Sequence, residues 1–363
     1  MALEILSLST ANFYAPRFEV EINNSRLAAN ISKAIMEVTI DEKMDEGASF
    51  RFTVNDEFDM AKQQFRWLDN PLFDLGNVVS IRIGYGGDLQ EIALGTISGL
   101  EPSFFSGELP TIVVSGHDMS YDYLKRSTPE RTFTDQAYSD IARTIASEAQ
   151  LQSAVDDTPK FEPFIRKNNN DTYYSFLESL AGKAGFTFSI DRRTMNFCKP
   201  KDDRKEIITL SLGKDIISFS PRMNTTEIVT EVEVRGHNPR DPNTPIVGSA
   251  RAGGERVQEP GKRTASQVAS DRSGDIKRVI TGVIVDSIAH ANAVAEAELN
   301  RRSDTFIEGD VASIGIPEIR PAVTVKLDKL GRKFSGKYYV TETSHSIGNN
   351  GYQMRFKVKR NAL

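Results

Sequence analysis

Apolar and polar residues alternate along the first third of the chain. In SFRFTVN (49–55), Phe50, Phe52 and Val54 share one face and Arg51, Thr53 and Asn55 the other, the period of a half-buried strand. Val79, Ile81 and Ile83 repeat the pattern before the turn GYGG (84–87), and TIVVS (111–115) adds a further strand. Short strands separated by turn signals predict a barrel or a sandwich.

The period then changes. In residues 135–150, Ile141, Ile145 and Ala149 recur every four residues, which predicts an amphipathic helix with Thr134 as its cap. A second helix is predicted after Asp171, ending at Gly182 or at Gly185, the latter well placed as a left-handed stop. FTFSI (186–190), a turn at 191–193 and TMNFC (194–198) read as a hairpin, which completes a small α/β module over about 118–204. Strand signal returns in IITLSL (207–212) and in IVTEVEVR (228–235), where Ile228, Thr230, Val232 and Val234 oppose Glu231, Glu233 and Arg235. Residues 239–274 carry four prolines, several glycines and many charges without an apolar period, so they are expected to form a long, mobile loop. A strand over 276–285, an alanine-rich helix over 287–302 and three or four closing strands follow.

In the last of these strands Tyr352, Met354, Phe356 and Val358 alternate with Gln353, Arg355, Lys357 and Lys359. One face is apolar and the other largely cationic. A solvated face accounts for such a pattern; so does the wall of a channel or a contact with an acidic partner.

Composition narrows the function classes. With 363 residues, 39% hydrophobic and 26% charged, the chain is long enough for two or three globular domains. Its 45 basic and 50 acidic residues leave a net charge of −5, which lacks the basic balance of a dedicated nucleic-acid binder. The single cysteine, Cys198, excludes an intramolecular disulfide framework and a Cys-rich zinc site; its alternation with Met195 and Thr194 points to packing. MALEILS at the N-terminus has no cationic region before an apolar core, and no stretch approaches 18 uninterrupted apolar residues. The protein is expected to be made in the cytoplasm, without an export signal or a membrane span.

Local signatures of chemistry are sparse. GRKFSGK (331–337) has the spacing of a phosphate-binding loop, but Tyr338 stands where a Ser or Thr hydroxyl is needed, and the following residues favour a strand rather than the helix that would face phosphates. A connection between two strands fits better. His117, His237, His290 and His345 are far apart and form no paired-ligand motif. His117 and Asp118 are adjacent, but neighbours on a strand point to opposite faces. No Gly-x-Ser-x-Gly elbow occurs, and no histidine near Cys198 in sequence suggests an activated thiol. No catalytic, cofactor-binding or metal-ligating residue is assigned, and no cofactor is implied. Trp67, the only tryptophan, reads as a packing residue rather than as part of a carbohydrate-binding aromatic cluster.

The order of segments says more than any one of them. SFRFTVND, LGTISGLEPSFFSGELPTIVVSGHDMSYDYLKR, FTDQAYSDIARTIASEAQ, NNNDTYYSFLESLAGKAGFTFSIDRRTMNFCKP, SFSPRMNTTEIVTEVEVRGHNPRD and GRKFSGKYYVTETSHSIGNNGYQMRFKVKR resemble, in the same order, the late control D family of contractile phage tails. That family's members are baseplate hubs, similar in fold to the hub of T-even phages and to the N-terminal part of type VI secretion VgrG proteins. The resemblance implies a mainly β fold with an α/β insert: a first β-barrel tube domain over 1–117, an α/β middle domain over 118–204, and a second barrel over 205–363 with a loop at about 239–274. It also implies a homotrimer, whose six barrels form a pseudo-sixfold ring between a sixfold tail tube and a threefold spike. Implied partners are the tube protein ring, a separate spike trimer and other baseplate proteins, with DNA or protein cargo passing through the lumen. The location implied is a virion or a released phage-tail-like particle. Arg355, Lys357 and Lys359 are the candidates for lumen or interface contacts. The alternative is a cell-wall glycosidase of the tail tip, which requires two carboxylates flanking a cleft.

Overall fold

Each apolar face read in the first third becomes the inside of a curled sheet. This computed structural model describes residues 15–44, 47–119, 121–126, 128–191, 193–199, 205–238, 241–257, 259 and 261–363; the N-terminal stretch and the middle of the 191–193 turn lie outside them. The first run contains β1 (Pro16–Ile22), β2 (Ser25–Arg26), the short α1 (Ala29–Ala34), β3 (Ile35–Lys43), β4 (Gly47–Asn55), a small hairpin of β5 (Phe58–Asp59) and β6 (Gln64–Phe65), β7 (Val78–Tyr85), β8 (Asp88–Ser103) and β9 (Thr111–Asp118). Its strands lie in the order β1-β7-β8-β9-β4-β3, antiparallel throughout. Val20 of β1 and Val38 and Ile40 of β3 enter the same core as Phe52, Ile81, Val114 and Trp67, so the two ends of the run curl toward each other around it.

The middle module has α2 (Tyr121–Leu124), β10 (Arg131–Thr134), α3 (Tyr138–Glu148), β11 (Gln152–Val155), β12 (Phe164–Lys167), α4 (Tyr173–Ala184), β13 (Thr187–Asp191) and β14 (Thr194–Cys198). Ile141, Ile145, Leu177 and Phe197 are in its own core. Helix α3 starts later than its periodicity predicts. Thr134 is held in the β10–β12 ladder opposite Phe164, and the Asp140 carboxylate accepts the Ala137 N–H instead, at 3.3 Å. At α4 the Thr172 hydroxyl accepts the Ser175 N–H at 3.1 Å, and Gly185 ends the helix at φ 70°. A Cβ at Gly185 would also lie 3.1 Å from the Ala293 carbonyl oxygen. Gly185→Ala is therefore expected to cost about 1–2 kcal/mol, read as a lower urea midpoint; an unchanged midpoint would refute the strain.

The third portion has β15 (Glu206–Ser211), β16 (Ile216–Met223), β17 (Glu231–Asn238), β18 (Asp241–Arg251), α5 (Ala265–Ser273), β19 (Lys277–Ile284), α6 (Ile288–Ser303), β20 (Ile307–Ile314), β21 (Thr324–Asp328), the single turn α7 (Gly331–Phe334), β22 (Gly336–Gly348) and β23 (Gly351–Arg360). Residues 239–274 are thus not a long loop, since they contain β18 and α5. The strand is held by its ladder to β17 rather than by an apolar period, and it lies at the edge of the β18-β17-β19 sheet, where prolines are tolerated. Helix α6 packs on that sheet through Ala291, Ala295 and Leu299. Thr264 caps α5, and the buried Ser266 hydroxyl donates to the Val229 carbonyl at 2.7 Å. The phosphate-loop look-alike is a strand connection carrying one helical turn. Lys337 stands in β22 and pairs with Glu206.

The strands β15, β16, β20, β21, β22 and β23 repeat the first run. Taken in chain order they match β1, β3, β4, β7, β8 and β9, and their spatial order, β15-β21-β22-β23-β20-β16, is the order of the first run. Only one pairing differs in sense: β15–β21 is parallel and β1–β7 antiparallel. Both β3 and β16 carry a bulge at their second residue, Met36 and Ile217. The duplicated runs are joined because β22 also pairs with β3, from Glu342↔Lys43 to Ile347↔Val38. One sheet therefore passes through both. Among the described residues no ladder closes either run; the expected barrels are curled open sheets, with a lone bridge from Leu212 to Ile216 in the second.

Candidate functional site: the polar face of the shared sheet

Where the two runs meet, the side of the sheet turned away from both cores carries almost no apolar residue. The ladders place Ser218, Ala312, Arg355, Ser344, Asp41, Ser49 and His117 side by side, one from each of seven strands. The adjoining row is Ser220, Asp310, Lys357, Glu342 and Lys43. Inward alternation toward the cores forces this outcome, since residues i and i+2 share a face. A concavity of about 630 Å³ runs along these rows, lined among others by Asp41, Ser49, Ser218, Asp310, Arg355 and Lys357.

The cationic side of the last strand turns to this face. Arg355 and Lys357 lie on the polar face, with the Lys357 ammonium 3.0 Å from Glu342. Lys359 follows on the same side of the strand, with its ammonium 2.7 Å from Asp304 and over the Tyr339 ring. His117 stacks on Tyr121 at 4.3 Å between ring centroids while Asp118 is buried on the other side, as strand geometry requires. Cys198 Sγ donates to the Ala154 carbonyl at 3.0 Å, and Trp67 is buried in the first core.

Behind the face, at the seam between the runs, lies a polar cluster that the sequence reading does not single out. Glu42 of β3 accepts the Arg320 guanidinium through both carboxylate oxygens, from Nε at 3.1 and 3.2 Å and again from Nη2. The fully buried His345 shares a hydrogen bond with the Tyr352 hydroxyl at 2.7 Å. Burial, and after it the Arg320 charge, pushes His345 down to about 3, so the ring is neutral. Tyr352 is held well above the ordinary tyrosine range, chiefly by burial. Tyr85 donates to the Gly315 carbonyl at 2.9 Å, and the Gln90 amide to Glu318 at 2.7 Å. The available signal was parity: Glu42 continues the inward set of Val38 and Ile40, where a charge needs a buried partner.

These groups tie the two runs of the one sheet together, and the face can pass or hold a polar object. Among the described residues no cluster of His, Cys, Asp or Glu is placed to hold a metal ion, and no helix is long and apolar enough to cross a membrane.

A family model described as the Alg8 N-terminal domain matches residues 14–349. No curated protein sequence matches the chain. Among solved structures, the 43 kDa tail protein of prophage MuSo2 from Shewanella oneidensis superposes with a TM-score of 0.67 at 15% identity, over 95% of this chain and 98% of that one. A tail protein from Neisseria meningitidis MC58 gives 0.68 at 12% identity, over 96% and 97%. The E. coli c3393 protein, a type VI secretion component similar in structure to the T4 bacteriophage tail proteins gp27 and gp5, gives 0.57 at 12% identity, over 94% and 77%. At these identities the likeness is one of fold. It is the likeness to tail proteins that the ordered segments imply.

Proposed function

The chain belongs to the family of the Alg8 N-terminal domain, and from that membership, its duplicated sheet and the tail-protein fold it shares we propose that it is the structural hub of a contractile tail or tail-like injection particle. Three copies supply six curled runs, enough to face a sixfold tube ring on one side and a threefold spike on the other. Each run serves as one barrel-like tube domain, 1–117 and 205–363, with 118–204 as the α/β insert outside the ring. The polar face is then the lumen wall. Arg355 and Lys357 belong to that wall, whereas Lys359 serves the protomer itself through Asp304.

The duplication carries the reading: one strand order occurs twice in a chain, and the two occurrences are already joined edge to edge through β22 and β3. A wall of serines and alternating charges offers little for a polar cargo, DNA or folded protein, to adhere to. The partners on this reading are the tube protein ring, a spike trimer and other baseplate proteins, in a released particle. No residue is given a catalytic role.

Electron microscopy of the chain co-assembled with tube and spike proteins tests the proposal. The expected image is a ring with six inner lobes related in pairs, an open lumen, and the 118–204 module at the periphery. Peptidoglycan turnover by the purified chain, or a particle in which the chain lies outside the tube axis, would sink it.

A further inference from the structure

We infer that two exposed apolar surfaces, one formed by Phe58, Met60, Phe104 and Phe105 and the other by Ile217 and Leu212, are the two sides of a single junction that a second copy of this chain completes head to tail. The inference rests on the ring reading and specifies which surfaces close it. Contiguous exposed apolar patches mark interaction sites, and the internal repeat says what should cover these.

Within the chain one junction is already made. The edge of β22 pairs with β3, the residues after β20 cross to the first run through Arg320–Glu42, Glu318–Gln90 and Gly315–Tyr85, and a Cβ on Gly348 would lie 3.0 Å from the Met36 carbonyl. In the repeat, β8 corresponds to β22, β16 to β3, and residues 56–77 to 315–323. The corresponding edges of β8 and β16 are uncovered over most of their length. The β7 ladder on β8 stops at Thr96, so that beyond Ile97 β8 pairs with β9 alone, and among the described residues β16 has a ladder only with β20, apart from the single bridge of Ile216 to Leu212. The inward residues of β3, Val38, Ile40 and Glu42, are buried, whereas their counterparts Phe219, Pro221 and Met223 remain half-buried.

Register makes the match specific. The hairpin ladder of β22 and β23 ends at Gly348↔Gly351, and that of β8 and β9 at Ser103↔Thr111. Since Gly348 lies against the bulge residue Met36, Ser103 falls beside the bulge residue Ile217 of the next copy. That sets Phe104 and Phe105, which directly follow Ser103, over Ile217 and the neighbouring Leu212. Phe105 is 68% exposed and Ile217 60% exposed. Phe65 ties Phe104 to Phe58, with ring centroids 5.1 and 4.9 Å apart, so the β5–β6 hairpin joins the same surface. Such a contact is heterologous, and it closes into a ring when the rotation per repeat allows.

Light scattering on wild type, Phe105→Asp and Ile217→Asp tests this, with circular dichroism confirming that the exposed substitutions leave the fold intact. The wild type is expected at three times the 40.3 kDa chain mass, and each variant as a monomer, with association weakened about a hundredfold or more. An equimolar mixture of the two variants retains one intact junction and should give a heterodimer, which a self-complementary contact cannot produce. A trimer that persists in either variant overturns the inference and leaves the ring reading standing. A wild type that stays monomeric at every concentration also overturns it, and the imaged particle then decides the ring reading separately.

Discussion

Arg320→Met is expected to destabilise the protein by about 3–5 kcal/mol, because it leaves the Glu42 carboxylate buried without its counter-charge. The pair is bidentate, its side chains are nearly enclosed, and it bridges elements 278 residues apart. Truncating one partner costs more than removing both. The double variant Glu42→Leu, Arg320→Met should accordingly recover much of the loss, since a packed apolar pair replaces the desolvated ions. Urea unfolding followed by Trp67 fluorescence, which reports on the first core, and by far-ultraviolet circular dichroism provides the measurement. In Arg320→Met the two transitions should separate, as the second run loses its hold on the first. Coincident and unshifted transitions would show that the pair contributes nothing to the seam.

The second large effect is a dependence on pH. His345 is neutral in the folded protein because burial beside Arg320 pushes it down to about 3, while in the unfolded chain it titrates at about 6.5. Between these values the unfolded state binds a proton that the folded state refuses. The stability contributed is therefore complete above about pH 6.5, declines as the pH falls, and is lost once the pH passes below about 3. The loss is on the order of 3–5 kcal/mol. Carboxylates also titrate over part of this range, so the informative quantity is the difference between wild type and His345→Gln, a variant that keeps a polar group for Tyr352. That difference should shrink steadily from pH 6.5 downward. Parallel curves would mean that His345 takes up its proton without disturbing the fold.

Much of the architecture was legible where side chains alone decide it. Phe50, Phe52 and Val54 announce their strand, and Thr172 and Gly185 announce both ends of α4, because alternation and capping are local. Residues 239–274 were opaque because β18 is specified by backbone pairing to β17 at a sheet edge, a relation that Pro242 and Pro245 do not forbid and that no apolar period records. Helix α5 was hidden for a different reason, since the residues it buries, Ala265, Ser266 and Ala269, are too small to make a marked apolar stripe. At the candidate site, parity alone put Arg355, Lys357 and Lys359 together. The structure adds their partners, Glu342 for Lys357 and Asp304 for Lys359, which are remote in sequence and which parity does not reveal. The duplication left little sign in the sequence, since the insert of β17–β19, α5 and α6 lies between β16 and β20 while the corresponding strands β3 and β4 are joined by a short turn.

The joining of the two runs in one chain has a kinetic side. A ring built from six separate repeats would lose translational and rotational freedom at five associations before closing, each of them dilution-sensitive. In a ring of three such chains, alternate contacts would form during folding, at the high effective concentration that a covalent tether imposes, and only the remainder would depend on encounters between molecules. The order of events follows from that difference. On the ring reading, the seam with the buried ions is set before any partner arrives, and the proposed seams at Phe105 and Ile217 are the ones at which such a ring would open, exchange a protomer or wait for its spike.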